Sequence, residues 1–264
     1  MKEMKLMREL RHDNVNSFIG ACVDMPDPTD QSTITLITEY CAKGALNDIL
    51  ENRDIKLDAM FLSSLIHDLI KVITICAFCS NSFTCIMFQG MLFLHGSELG
   101  FHGNLRSSNC VITSRWTLQV SDFGLHEFRA TSETESGCEH TDKCKQLWHS
   151  PELLRQRMLS PTPGTQKGDV YAFGIILYEI YGRQGPYGEE TLELQDIIDR
   201  VIEPVAGEEL MRPNISDLKL AAEEHDTVVP DFMEGLCKSA GQRTRRKGRT
   251  SLPSGTRLSP CVMA

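Results

Sequence analysis

His102-Gly103-Asn104-Leu105-Arg106-Ser107-Ser108-Asn109, followed downstream by Asp122-Phe123-Gly124, holds the groups of this chain best placed to do chemistry. Asn104 and Asn109 are carboxamides, and Asp122 is a carboxylate. A carboxamide accepts a hydrogen bond but has no useful basicity near neutral pH, so Asn104 cannot take a proton from a hydroxyl. Gly103 beside it contributes no side chain. The set can bind and orient a ligand, but Asn104 cannot act as a general base.

These residues need elements to hold them, and the sequence predicts several. Met4, Met7 and Leu10 are spaced for one buried helix face, ended by His12-Asp13-Asn14-Val15. Val15 to Cys22 and Ser32 to Tyr40 read as strands, with Thr33-Ile34-Thr35-Leu36-Ile37-Thr38 strongly β-prone and Asp24 to Thr29 as the turn between them. Gly44 to Leu50 starts a short helix and Asp58 to Lys71 forms a longer one. Val111-Ile112 and Leu118-Gln119-Val120 flank a Ser114-Arg115-Trp116 turn, a small hairpin placed just before Asp122. Val170 to Tyr181 is an apolar helix and Leu192 to Val201 another. The order is a few strands, then mostly helices: an α+β class.

Composition narrows the function. A length of 264 residues with 41% hydrophobic content permits a substantial core. A net charge of −9 argues against a nucleic-acid-binding surface, which needs a basic face. The ten cysteines are scattered, several of them in apolar runs where a reduced thiol behaves as a small hydrophobe. Cys76-x-x-Cys79 finds no second pair to complete a zinc site, so the chain reads as the product of a reducing compartment. The charged opening Lys2 to Leu10 is not a signal peptide.

The loop pair resembles the H-R-D-L-x-x-x-N and D-F-G motifs of protein kinases, in which the aspartate accepts the substrate proton and the asparagine and D-F-G aspartate hold Mg²⁺. That resemblance puts Asn104 at the base position and Asn109 and Asp122 at the metal positions. Glu3 falls at the helix glutamate that pairs the ATP-binding lysine, Thr38 at the gatekeeper, and Glu39-Tyr40-Cys41 at the hinge. Cys110-Val111-Ile112 falls beneath the adenine ring, so Thr38, Glu39, Cys41 and Val111 are the expected nucleotide contacts. Ser150-Pro151-Glu152 matches A-P-E, and Asp169-Val170-Tyr171-Ala172-Phe173-Gly174 matches the helix whose aspartate holds the catalytic loop. His102 is expected to be structural, with Phe123 and Gly124 completing the metal loop. A scaffold hydrogen bond is the favoured role of Asn104.

Four further runs are similar to the kinase-homology domain of membrane receptor guanylyl cyclases. They are Asn14 to Cys22, Gly90 to His95, His102 to Cys110, and Leu147 to Leu154. This family implies a two-lobe kinase-like fold that binds adenine nucleotide, with weak Mg²⁺, and relays ligand occupancy. The parent would be a dimeric, single-pass plasma-membrane receptor with this domain on the cytoplasmic side. Its cyclase domain, converting GTP to cyclic GMP, would lie outside this chain. The implied divisions are a partial small lobe at 1–41, a helical large lobe at 42–238, and a tail at 239–264.

Three departures from the pattern stand out. No Gly-rich loop or strand lysine precedes Met1, which leaves Glu3 either solvated or without its partner. The run 72–89 interrupts one expected helix. It reads as a retained intron, a tolerated insertion or a membrane segment, and the codons favour the first, since valine begins with GT and Phe-Gln can end in TTTCAG. The tail from Ser239 reads as disordered. Read two nucleotides on, its codons can encode the kinase ending W-x-E-D-P-x-E-R-P-x-F, so a frameshift would cost Glu152 its arginine partner. Ser132, Thr134 and Ser136 read as a solvated loop. The rival functional readings are a weak protein kinase using Asn104 to position a hydroxyl, and a non-functional product of a faulty gene structure.

Overall fold

The computed structural model describes residues 2–23, 34–72, 93–125, 139–157, 164–188, 192–203, 211–224, 228–230 and 233. The run 73–92, the tail from 234, and Ser132, Thr134 and Ser136 lie outside them, as does the predicted 24–29 turn.

The chain opens with helix α1 (Lys2–Glu9), which buries Met7. Strands β1 (Phe18–Val23) and β2 (Ile34–Thr38) then pair antiparallel, with Phe18 opposite Thr38 and Val23 opposite Ile34. The register shifts between Phe18 and Gly20. β1 begins later than the β-prone run suggests because Val15 is used elsewhere: it makes an isolated parallel bridge to Val120.

Helices α2 (Leu46–Glu51), α3 (Ala59–Val72) and the short α4 (Phe93–Gly96) follow. Asp58 sits just before α3 and its carboxylate accepts from the Phe61 N–H at 2.7 Å, an N-terminal cap. After a 3₁₀ turn at Ser107–Asn109, β3 (Cys110–Ile112) and β4 (Leu118–Val120) form the expected hairpin, Cys110 opposite Val120. Both strands show the alternating burial of a half-covered sheet. Their turn places Trp116 at φ 63°. Asp68, buried on α3, accepts from the Leu118 N–H at 3.1 Å and ties the hairpin to that helix.

The remainder is helical: α5 (Glu139–Gln146), α6 (Pro151–Arg157), α7 (Gln166–Gly182), α8 (Leu194–Ile202) and α9 (Ile215–Glu223). Every residue of α7 from Gly168 to Gly182 is buried, as its apolar run requires on all sides. One side of α7 joins the main core through Phe173, Ile176, Leu177 and Ile180. The other carries Tyr171 and Ile175 against Ile197, Ile198, Val201 and Ile202 of α8. α8 starts two residues later than predicted because Glu193 takes the N-cap conformation. α9 was not predicted. Its signal is Asn214, whose side chain caps the Ser216 N–H at 2.9 Å before Leu218, Ala221 and Ala222 turn inward.

Arg183 ends α7 in the left-handed region, φ 47°, which is strained for a residue with a Cβ. Its guanidinium repays the strain by donating to three carbonyl oxygens: Asn52 at 2.7 Å, Ile55 at 3.1 Å and Leu50 at 3.2 Å. The end of α7 is thereby clamped to the end of α2. Arg183→Ala is expected to lower stability by about 2 kcal/mol after allowance for exposure, roughly 5 °C in Tm for a chain of this size. A thermal melt followed by circular dichroism checks this, and an unchanged midpoint refutes the clamp.

Candidate functional site

Asp169 lies in the first turn of α7, behind an N-cap in which Thr165 accepts from the Gly168 N–H at 3.0 Å. It is 2% exposed and accepts from the His102 N–H at 2.7 Å, the Gly103 N–H at 2.9 Å and His95 Nε2 at 2.8 Å. A buried carboxylate needs several donors to offset lost hydration, and the loop's backbone supplies two of these. Gly103 adopts φ 75°, a conformation that disfavours any side chain. A Cβ added at Gly164 would collide with the Gly103 Cα, so the two backbones lie against each other. The arginine of the kinase motif could not adopt this geometry without strain.

His102 is fully buried. Its Nδ1 accepts from the Asn104 N–H at 3.1 Å, so Nε2 carries the proton and donates to the Ser121 carbonyl at 3.0 Å. The ring bridges the loop to the chain just before Asp122 and lies edge-on to Phe123, centroids 6.3 Å apart. Asp122, Gly124 and Leu125 all have positive φ, at 59°, 70° and 52°. Two contacts hold this strained loop. Asn104 Nδ2 donates to Asp122 Oδ2 at 2.6 Å, and the Leu125 N–H donates to Glu3 Oε1 at 2.6 Å. Glu3 is half-buried, and its contact is with backbone rather than with a lysine. It reaches across from α1 to cap the loop, a partner that only the fold brings near.

Asn109 and Asp122 are the residues that the kinase resemblance assigns to Mg²⁺. Their side chains lie together, Asn109 Nδ2 standing 3.4 Å from Asp122 Oδ2. The atoms facing Asp122 Oδ2 are amide nitrogens, Asn104 Nδ2 at 2.6 Å and Asn109 Nδ2 at 3.4 Å. The Asn109 amide is oriented by donation to the Asn104 carbonyl at 2.7 Å, which leaves its Oδ1 as the hard donor of that side chain. No group of three or more His, Cys, Asp or Glu residues capable of holding a metal occurs among the described residues. Asn104 and Asp122 form an amide–carboxylate clasp beside Asn109.

Thr38, Glu39, Cys41 and Val111 do come together. They line one cavity of about 360 Å³ with Asn16, Leu36, Ile37, Tyr40 and Ser121. Val111 of β3 and Ser121 after β4 form one side; the end of β2 and the segment 39–41 form the other. The volume lies within the range of small-ligand sites. Beneath the 103–106 loop a second cleft offers only about 10 Å³, too little for more than a water-sized group. Cys41 Sγ accepts from Asn16 Nδ2 at 3.2 Å and lies 3.4 Å from Gln119 Oε1. Burial pushes its thiol above the ordinary value, opposed by the Asn16 hydrogen bond and reinforced by the Glu39 carboxylate. Glu152 is half-buried and makes no side-chain hydrogen bond or ion pair with another described residue.

One buried acid escaped the sequence reading. Glu179, in the middle of α7, is 5% exposed. It accepts from Ser107 Oγ and from Trp148 Nε1, both at 2.8 Å, so it links the catalytic-type loop to the residue pair before α6. A single carboxylate within the apolar run from Val170 to Tyr181 was the available signal.

Burial raises the Glu179 carboxyl from 4.5 to about 8, against the lowering effect of its two donors. Unfolded, the group ionises near the lower value; folded, near the higher. Between them the unfolded chain binds fewer protons, so stability falls as pH rises from 4.5 to about 8 and levels off above. Glu179→Gln keeps both contacts, its oxygen facing Trp148 and its amide donating to the Ser107 hydroxyl. The variant's Tm should lack this decline, and parallel melts across the interval decide it. Asn104→Asp should behave oppositely: two carboxylates across the present 2.6 Å gap repel, lowering Tm without metal and raising it on adding Mg²⁺. Wild-type Tm should not respond to Mg²⁺ alone. Equal Mg²⁺ responses in the two proteins would show that the clasp does not substitute for metal.

The family of protein tyrosine and serine/threonine kinases matches residues 1–222. The chain is 53% identical over 230 residues to the receptor-type guanylate cyclase Gyc76C of Drosophila melanogaster, covering 87% of this chain and 13% of that protein. It is 48% identical over 200 residues to the speract receptor of Strongylocentrotus purpuratus, covering 75% and 16%. With the human atrial natriuretic peptide receptor 2 it shares 40% over 262 residues, covering 95% and 22%. The chain thus spans under a quarter of the length of these relatives. Few strands, many helices and a carboxylate-held loop agree with that match: this chain belongs to the protein tyrosine and serine/threonine kinase family, as a kinase-like domain related to those of receptor guanylate cyclases.

Proposed function

We propose that this domain binds an adenine nucleotide and relays receptor occupancy without transferring phosphate. The observation that carries the reading is the cavity that gathers Thr38, Glu39, Cys41 and Val111. Asn104 supports the second half: it has no basicity, and its amide is engaged by Asp122. The relatives' names, receptor-type guanylate cyclase and atrial natriuretic peptide receptor, support a parent receptor that makes cyclic GMP from GTP in another domain, and we extend the reading to a dimeric, single-pass plasma-membrane receptor with this domain on the cytoplasmic side. No helix among the described residues is long and apolar enough to cross a membrane.

A relay needs an element that differs between bound and free states. The Glu3–Leu125 hydrogen bond supplies a candidate, since it joins α1 to the loop just beyond Asp122. Nucleotide in the adjoining cavity would bias that contact.

Adding ATP should raise the melting temperature of the chain by several degrees at saturating concentration. Val111→Phe, which fills the cavity floor, should abolish the rise while leaving the ligand-free melt cooperative. No shift with ATP sinks the binding half. Radiolabel transfer from ATP that Asp122→Ala abolishes sinks the other half and favours a weak kinase.

A further inference from the structure

We infer that Asn16 is a positioning residue of the cavity: its side-chain amide ties the 39–41 wall to Gln119, on the strand paired with the Val111 floor, and holds the two sides at a fixed spacing before any ligand enters. The inference rests on the reading that the cavity takes an adenine nucleotide. It assigns the preorganisation of that site to an amide that need not touch the ligand.

Asn16 is 2% exposed and follows Val15, whose bridge to Val120 docks this strap of chain on β4. The Asn16 backbone N–H donates to the Val120 carbonyl at 2.9 Å, which fixes the base of the side chain. From there Nδ2 faces three acceptors: the Glu39 carbonyl at 3.0 Å, Cys41 Sγ at 3.2 Å and Gln119 Oε1 at 3.3 Å. Gln119 is held in turn, its Nε2 donating to the Asp13 carbonyl at 3.0 Å. The Cys41 thiol closes the triangle by donating to Gln119 Oε1 at 3.4 Å.

The cavity has Glu39, Tyr40 and Cys41 on one side and Val111 and Ser121 on the other. Gln119 is the register partner of Val111. One amide therefore spans from the segment forming one side to the strand pair forming the other. The Glu39 N–H also donates to the Ser17 carbonyl at 3.0 Å, so the strap meets that wall twice. Asparagine is kept here at a cost, because its Oδ1 is buried and has no donor among the described residues. Leucine, of the same shape, would avoid that cost but would lose the N–H groups that join the two sides. Walls ordered in advance spare a ligand the entropy of ordering them, which is how preorganised sites gain affinity.

The test measures ATP binding to the full chain by calorimetry, at a temperature where each variant is folded. Asn16→Leu should weaken ATP roughly tenfold and Gln119→Met by less, with the double variant no weaker than Asn16→Leu, since both break one network. Arg183→Ala, which releases the α2–α7 clamp away from the cavity, should lower Tm without changing ATP affinity, and so separates positioning from stability. Alkylation of Cys41, read on its peptide by mass spectrometry, should run several-fold faster in Asn16→Leu because the thiol is no longer held. If Asn16→Leu does not fold, Gln119→Met carries both measurements with the same expected directions. Unchanged ATP affinity in these variants, an equal loss in Arg183→Ala, or additive losses in the double variant overturns the inference. Absence of ATP binding by the wild type refutes the nucleotide reading, and the Cys41 labelling rates then decide the tie by themselves: equal rates overturn it.

Discussion

The Asp169 carboxylate is the constraint around which the site is built. It lies at the start of a helix buried on every side, so it cannot relax toward water, and its acceptor capacity must be met locally. The donors that meet it are the backbone N–H groups of His102 and Gly103 and the ring of His95. The loop is thus shaped by the solvation demand of a residue far along the chain. A missing donor would leave a buried charge short of partners, which costs several times a typical net hydrogen bond. Gly103 serves this arrangement directly: its positive φ turns the N–H toward Asp169 and lets Gly164 approach.

From that anchor the order propagates outward. His102 passes it to the Ser121 carbonyl, Asn104 to the Asp122 carboxylate, and Glu3 closes the far side at Leu125. Residues with positive φ and a Cβ cost of order 1–3 kcal/mol each and persist only where surroundings over-determine them. Here the surroundings are an amide and a helix-borne carboxylate. A second acid, Glu179, braces the same loop from below through Ser107. The loop is therefore gripped from α1, from α7 and from the hairpin.

Legibility followed the range of the interactions. The β3–β4 hairpin was readable because a short alternating pattern and its turn are local. Helix α7 was readable because its apolar run from Val170 to Tyr181 is broken by a single charged residue, Glu179. Its ends were less so, depending on the cap at Thr165 and on Arg183 donating to carbonyls near α2. The cavity residues Thr38, Glu39, Cys41 and Val111 were gathered by resemblance, and their convergence is a property of the fold. The partner of Glu3 could not be read at all, since Leu125 lies 122 residues away. Asn16 was visible only as one polar letter in a strand-like run. Its significance needs the Glu39 carbonyl, Cys41 and Gln119 around it.

The exchange of an acid for an amide at position 104 changes more than basicity. An acid there would confront Asp122 with like charge, and a cation between them would be the natural way to keep the loop closed. The amide presents hydrogens to Asp122 instead of lone pairs, so the same short distance becomes attractive without any ion. Loss of basicity and an attractive contact to Asp122 are then two consequences of one atom-level exchange. The contacts that join Ser121, Asp122 and Leu125 to His102, Asn104 and Glu3 then hold the two loops together through protein groups.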